Sequence, residues 1–198
     1  AIIVRNPNGS TYTQFDPTTT YKSSVTNPDG SVTTETPSET ETSDGTVVVE
    51  NTKVNTQEDK GITTTNTVKT ETRDDKVTKT EENKVELSST AVTSESTTEG
   101  NLVLDLGSVT VDFSKDAATN FKGKNLSISS VVGKEVSSME SLPGDVKEVA
   151  LVISFDLVSG QSQIHDLGGT ATVTVFYGKG QDVSHVAIWH MGDDGKLI

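Results

Sequence analysis

The chain contains no cysteine, one tryptophan and only 5% aromatic residues among its 198 positions. Without cysteine it has no disulfides, no thiolate chemistry and no Cys-ligated zinc. Hydrophobic residues make up 31% of the chain, against about 45–50% in ordinary globular domains. No run approaches the about 18 apolar residues that a membrane helix requires. These absences exclude a transmembrane helix and a large core extending along the whole chain.

The charge balance is strongly acidic. The chain carries 29 acidic and 16 basic residues, which gives a formal net charge of −13. Nucleic acid is not an expected partner, because phosphates require a cationic surface. The composition therefore predicts an all-β protein with no nucleic-acid partner and no membrane insertion.

Composition changes near Gly100. Threonine dominates the first hundred residues, no leucine precedes Leu87, and no aromatic residue lies between Tyr21 and Phe113. From Leu102 onward, leucine, isoleucine, valine and phenylalanine recur densely. We therefore predict two domains, a Thr-rich β-repeat region at residues 1–100 and a β-sandwich at residues 101–198.

Turn signals divide the Thr-rich region at nearly regular intervals. Asp-Gly pairs favour hairpin turns because glycine adopts positive φ without steric cost. Threonine, being β-branched, favours a pleated surface. The predicted turns are Asn27–Gly30, Ser43–Gly45, Glu58–Gly61 and Asp74–Asp75. The pattern predicts a thin antiparallel meander of strands of roughly ten residues. Two alternatives stay open: disorder, and a β-solenoid whose interior column would be Val54, Val68, Val77, Val85 and Val92.

A short hairpin is expected before the repeats. Residues 2–5 and 10–15 alternate in the manner of strands, and Asn6-Pro7-Asn8-Gly9 between them is a turn signal. The segment has no positive stretch followed by an apolar run, so it is not expected to be a signal peptide.

The second half shows period-two alternation, which is typical of a sheet with one solvent-facing side. The segments 101–106, 108–113, 125–129, 150–158, 170–177 and 183–191 are predicted strands. The side chains predicted to point inward are Leu102, Leu104, Leu106, Val109, Val111, Phe113, Leu151, Ile153, Phe155, Leu157, Val173 and Val175. One helical turn is expected within 114–121 or 137–148. Six or seven short strands in this length indicate a β-sandwich.

The second half resembles a known type of domain. The segments Thr110–Phe113, Leu126–Ile128, Leu167–Val175, His185–His190 and Asp193–Leu197 occur in the order found in the β-sandwich that ends many Gram-positive surface proteins. Those proteins carry Thr-rich, Asp-Gly-punctuated repeats and are often tethered through S-layer homology modules. The segment is also distantly similar to ZU5 domains. The resemblance implies an Ig-like or ZU5-like sandwich and an extracellular, cell-surface location, but it carries over no catalytic residue.

The chemistry-bearing residues do not form a recognisable catalytic set. His185 and His190 fall on opposite faces of a predicted strand, so the two cannot bind one ion without a bulge. Asp-Gly turns at Asp29, Asp44 and Asp194 leave a weak calcium site open as an alternative to ordinary turn chemistry. Gly-x-Ser-x-Gly is absent. We therefore predict no enzyme activity, no metal and no cofactor. Covalent Lys–Asn or Thr–Gln cross-links stay open without an identified pair.

Three aromatic residues in the last quarter of the sequence form the candidate ligand site. Phe176, Tyr177 and Trp189 lie in the last two predicted strands, where an exposed aromatic face would stack on a sugar ring. The alternative is that Phe176 and Trp189 are buried and Tyr177 closes a rim, since tryptophan is usually buried.

Together these patterns favour a non-enzymatic structural or adhesion module, with the Thr-rich part acting as a spacer. The expected partners are cell-wall or host glycans or proteins. A carbohydrate-binding module using the aromatic face is the alternative function.

Overall fold

A computed structural model describes residues 2–5, 11–14, 22–133, 153–176 and 184. The strands of the first half are β1 (Ile2–Arg5), β2 (Thr11–Gln14), β3 (Ser23–Thr26), β4 (Val32–Glu41), β5 (Val47–Gln57), β6 (Ile62–Arg73) and β7 (Lys76–Leu87). Then follow α1 (Ser89–Ser94), β8 (Leu102–Asp105), β9 (Val109–Phe113), α2 (Lys115–Phe121), β10 (Leu126–Val132), β11 (Ile153–Ser159), β12 (Ser162–Gln163) and β13 (Ala171–Val175). The all-β class is confirmed.

The Thr-rich region is an antiparallel meander. β3 to β7 pair in sequence order, and β10, β11 and β12 continue the same sheet to eight strands. The solenoid alternative is wrong, since consecutive strands pair antiparallel rather than stacking as repeated coils. The N-terminal hairpin is confirmed by the pairing of β1 with β2, from Ile2 opposite Gln14 to Arg5 opposite Thr11.

All four predicted turns join strands of the meander. Gly30 and Gly45 have φ of 82° and 80°, and each donates its N–H to the carbonyl three residues earlier. This is a type I turn closed by a left-handed residue. At the last turn Asp74 and Asp75 both have positive φ, 48° and 63°. Two successive left-handed residues match the strand twist in a two-residue hairpin, and aspartate tolerates that conformation better than most residues.

The meander is a single layer. No residue from 32 to 84 is buried. On one face, β4, β5 and β6 present nine adjacent β-branched side chains: Val32, Thr34, Thr36, Thr52, Val54, Thr56, Thr63, Thr65 and Thr67. Such cross-strand pairs contribute roughly 0.2–1 kcal/mol each, which supports a sheet that lacks a second layer. We call this face, which also carries Glu86 of β7, the outer face.

The opposite, inner face of the meander is held by amide side chains. Asn66 donates to Glu81 Oε1 and to Asn83 Oδ1, both at 2.8 Å, and Asn51 donates to Glu35 Oε1 at 2.7 Å. These hydrogen bonds cross from strand to strand, so polar contacts on both faces take the place of a core. The order predicted for the Thr-rich region follows from this local pairing.

A packed core begins at the end of β7. Val85 and Leu87 join Leu126, Ile128 and Leu157 on the inner face of the large sheet. Against them lies a second layer made of α1, α2 and a three-stranded sheet ordered β13-β9-β8. Ring centroids of Phe113 and Phe121 lie 5.1 Å apart in an edge-to-face contact. This two-layer packing is the sandwich part of the fold.

The structure confirms most of the predicted inward positions. Leu102, Leu104, Leu106, Val109, Val111, Phe113 and Leu157 are all buried. Val173 is a correction: it lies on the same face of its sheet as the buried Val111 but is 40% exposed, and within the described residues β13 is paired on one side only. Phe155 is likewise 41% exposed. Leu151 lies outside the described residues.

Two further features concern residues 88–125. The helical turn predicted within 114–121 is confirmed as α2. α1 was not predicted, because its sequence STAVTS is rich in poor helix formers. Ser88 caps α1 by accepting a hydrogen bond from the Ala91 N–H, and Ala91 and Val92 are fully buried. Tertiary packing therefore outweighs the low helix propensity of this sequence.

The domain division at Gly100 stays a prediction. Backbone pairing of β7 with β10 joins residues on both sides of Gly100.

Candidate functional site

Of the three predicted aromatic site residues, only Phe176 lies among the described residues. Phe176 directly follows β13, donates its backbone N–H to Ser108 O at 2.8 Å, and leaves its side chain 72% exposed. The alternative that Phe176 is a core residue is therefore wrong. Tyr177 and Trp189 lie outside the described residues, so the aromatic ligand face stays a prediction.

The carboxylates of two Asp-Gly turns are engaged in their own turns. Asp29 Oδ1 accepts from the Ser31 hydroxyl at 2.6 Å and from the Ser31 N–H at 3.0 Å, which lowers the pKa of Asp29. Asp44 accepts hydrogen bonds from the Thr42 hydroxyl and the Thr46 N–H, which lower its pKa from 3.8 to about 2. Hydrogen bonds to an ionised carboxylate favour its charged form. These contacts are ordinary turn chemistry.

Metal-ligating side chains do not cluster in the described part of the chain. No group of three or more histidine, aspartate or glutamate residues lies close enough to hold an ion there. His165 lies among the described residues, whereas His185, His190 and Asp194 lie outside them. Neither described helix, of six and seven residues, has the length and apolarity needed to cross a membrane.

A concavity in the described structure runs along β10, where side chains of the outer face line it. Small side chains, Ser127 and Ser129, form its floor. Their neighbours in register are longer: Glu86 and Lys84 on β7, and Val158 and Asp156 on β11. A line of small residues between two lines of larger ones produces a trough. We call it the β10 groove.

The β10 groove consists of two adjoining cavities. One has a volume of about 580 Å³ and reaches the turn at Gly61, and the other, of about 440 Å³, extends toward Glu82. They share Glu86, Ser127, Val158 and Gly160. Both are open to solvent rather than enclosed.

The walls of the groove are acidic. Glu82, Glu86, Asp156 and, near Gly61, Glu58 contribute four carboxylates, and Lys84 contributes one ammonium group. Lys84 Nζ lies 3.2 Å from Glu86 Oε1, so that pair is internally compensated. Asp156 Oδ1 accepts a hydrogen bond from Gln163 Nε2 at 3.1 Å. The groove therefore favours cationic over anionic ligands.

Sequence reasoning missed this groove because its walls come from distant parts of the chain. Ser129 pairs with Lys84 on one side and with Asp156 on the other. The alternation Leu126-Ser127-Ile128-Ser129 signals a strand with a small polar outer face. Only the strand order, with β10 between β7 and β11, shows that larger side chains flank those serines.

Comparison with known proteins identified no matching family model, no matching curated protein and no matching solved structure.

Proposed function

We propose that this chain is a non-enzymatic structural and adhesion module of an extracellular bacterial surface protein. In this proposal the meander β4–β7 is a stiff spacer, and the packed sandwich at its end presents a binding surface. The cell-surface location and the Gram-positive origin rest on the resemblance noted in the sequence. The expected partners are cell-wall or host glycans or proteins.

One observation carries the spacer role. Strands of 10, 11, 12 and 12 residues form a sheet in which no residue from 32 to 84 is buried. A strand rises about 3.3 Å per residue, so this layer extends roughly 35–40 Å along the strands. A single-layer sheet reaches this length without the residues that a second layer would require. Its polar faces and acidic charge oppose aggregation.

The distance between the two ends of β5 tests the spacer role directly. The protein has no native cysteine, so Ser43→Cys and Asp59→Cys place two spin labels at exposed turns on opposite ends of the meander. We expect a narrow interspin distribution centred at about 35–40 Å, because β5 separates the two turns. Pulsed dipolar spectroscopy on the full chain measures it.

A flexible stalk gives a different result. The two sites are 16 residues apart in sequence, and a random coil of that length has an end-to-end distance of roughly 20–25 Å with a broad spread. A broad distribution near that distance would contradict the spacer proposal. The same labelled chain in denaturant provides the reference for the unfolded distribution.

A carbohydrate-binding module is the second candidate, and the 72% exposure of Phe176 favours it. An exposed aromatic ring beside a sheet edge is suited to stacking on a sugar ring. Glycan-array binding that disappears in Phe176→Ala or Trp189→Ala, with unchanged circular dichroism, supports this candidate. No binding to any glycan favours the spacer alone.

A further inference from the structure

The β10 groove has the width of a single extended chain. Two strand spacings separate β7 from β11, which places its walls about 10 Å apart. The floor serines offer hydroxyl groups that donate or accept hydrogen bonds. One end of the groove, where β10 begins at Leu126, lies beside the turns at Gly61 and Gly160. An extended segment can enter from this end along the strand direction.

Charge limits the class of ligand. Four carboxylates line the groove together with one ammonium group, and that ammonium group already pairs with Glu86 at 3.2 Å. The whole chain adds a net charge of −13. Phosphate-bearing and other anionic ligands are repelled, whereas ammonium groups are attracted from a distance.

The lining also discriminates between sugars and peptides. None of the residues that line the two cavities is aromatic, so the groove offers no ring on which a sugar can stack. Hydroxyl and carboxylate groups line the groove beside apolar side chains that include Ile62, Leu126 and Val158. This combination is suited to an extended backbone with basic side chains. This chemistry favours a peptide over an amino-sugar polymer.

We propose that the β10 groove binds an extended, lysine-bearing peptide segment, whose ammonium groups contact Glu82, Glu86 and Asp156. This inference deepens the proposed adhesive role and rests on it. Peptide binding tests the groove, whereas the interspin distance tests the stiffness of the spacer. The groove proposal and the spacer proposal can therefore fail separately.

Binding of fluorescein-labelled hexalysine to the full chain at low ionic strength tests the inference. Exposed charge pairs contribute about 0.2–1 kcal/mol each, so removing three of them in E82Q/E86Q/D156N is expected to weaken binding about tenfold. The matched control E39Q/E41Q/E99Q removes three exposed carboxylates outside the groove. We expect this control to bind hexalysine nearly as tightly as the unmodified chain.

A second pair of variants tests shape at constant charge. Ser129→Leu raises the floor of the groove, and Ser38→Leu adds the same side chain to β4, which forms no part of the groove. We expect about tenfold weaker hexalysine binding in Ser129→Leu and no change in Ser38→Leu. Circular dichroism and thermal unfolding establish that each variant is folded.

Three outcomes would overturn the inference. Equal losses in the two charge-removal triples would show that hexalysine responds only to net charge. Unchanged binding in Ser129→Leu would place the peptide elsewhere. Binding of a chitosan hexamer in the groove, without hexalysine binding, would assign the site to an amino sugar instead.

Discussion

Phe121→Ala is expected to lower the free energy of unfolding by about 3–5 kcal/mol, the range for truncating a buried phenylalanine. The Phe121 side chain is fully buried at the end of α2 and packs edge-to-face against Phe113. Truncation removes that contact and leaves a cavity in the core that joins the two sheets. Guanidinium unfolding followed by circular dichroism measures the change.

Val49→Ala is the matched control, because it shortens an apolar side chain of the meander that is 46% exposed. The meander has no core around this position, so the expected loss is under about 1 kcal/mol. A loss equal to that of Phe121→Ala would mean that a hidden apolar layer covers the meander, and the single-layer description would be wrong.

Gly61→Ala is expected to lower the free energy of unfolding by about 2–3 kcal/mol. Gly61 has φ of 68°, and a Cβ there would clash with Ser88 Oγ. The left-handed conformation alone costs an L-residue about 1–2 kcal/mol. Displacing the Ser88 hydroxyl also removes the N-cap of α1, where Ser88 Oγ accepts from Ala91 N at 3.1 Å, which adds about 1 kcal/mol. Equilibrium unfolding provides the measurement.

Gly45→Ala separates the cost of the left-handed backbone conformation from the cost of losing the N-cap of α1. Gly45 has nearly the same backbone conformation, φ of 80°, but nothing lies within 4 Å of its added Cβ. Only the conformational cost of about 1–2 kcal/mol is expected there. If Gly45→Ala and Gly61→Ala destabilise the protein equally, the turn before β6 does not pack on the cap of α1 as described.

Local signals explain why the meander could be predicted from the sequence. Each turn signal, whether Asp-Gly, Lys60-Gly61 or Asp-Asp, acts within four residues, and the strands between turns need only β-branched side chains and a neighbouring strand. The turns at Gly30, Gly45, Gly61 and Asp74 therefore appear where the sequence predicts them. The same reasoning locates Leu102, Leu104 and Val111 on the buried side of their strands.

Features that depend on distant contacts could not be predicted in this way. α1 forms because Ala91 and Val92 are buried against the core, although its β-branched sequence disfavours a helix. The β10 groove exists because β10 inserts between β7 and β11. Val173 alternates like a core residue, yet it is 40% exposed, because alternation indicates the face of a strand but not how far a neighbouring layer covers it.

Amide hydrogen exchange tests the central claim, that the Thr-rich half is an ordered single-layer sheet. β5 and β6 have a paired strand on both sides, so their amides are expected to exchange at least about a hundredfold more slowly than in an unstructured chain. In β4, only Val32–Glu35 pair with β3, so residues 36–41 are expected to show slow and fast amides in alternation. Uniformly fast exchange from residue 32 to residue 84 would contradict the account.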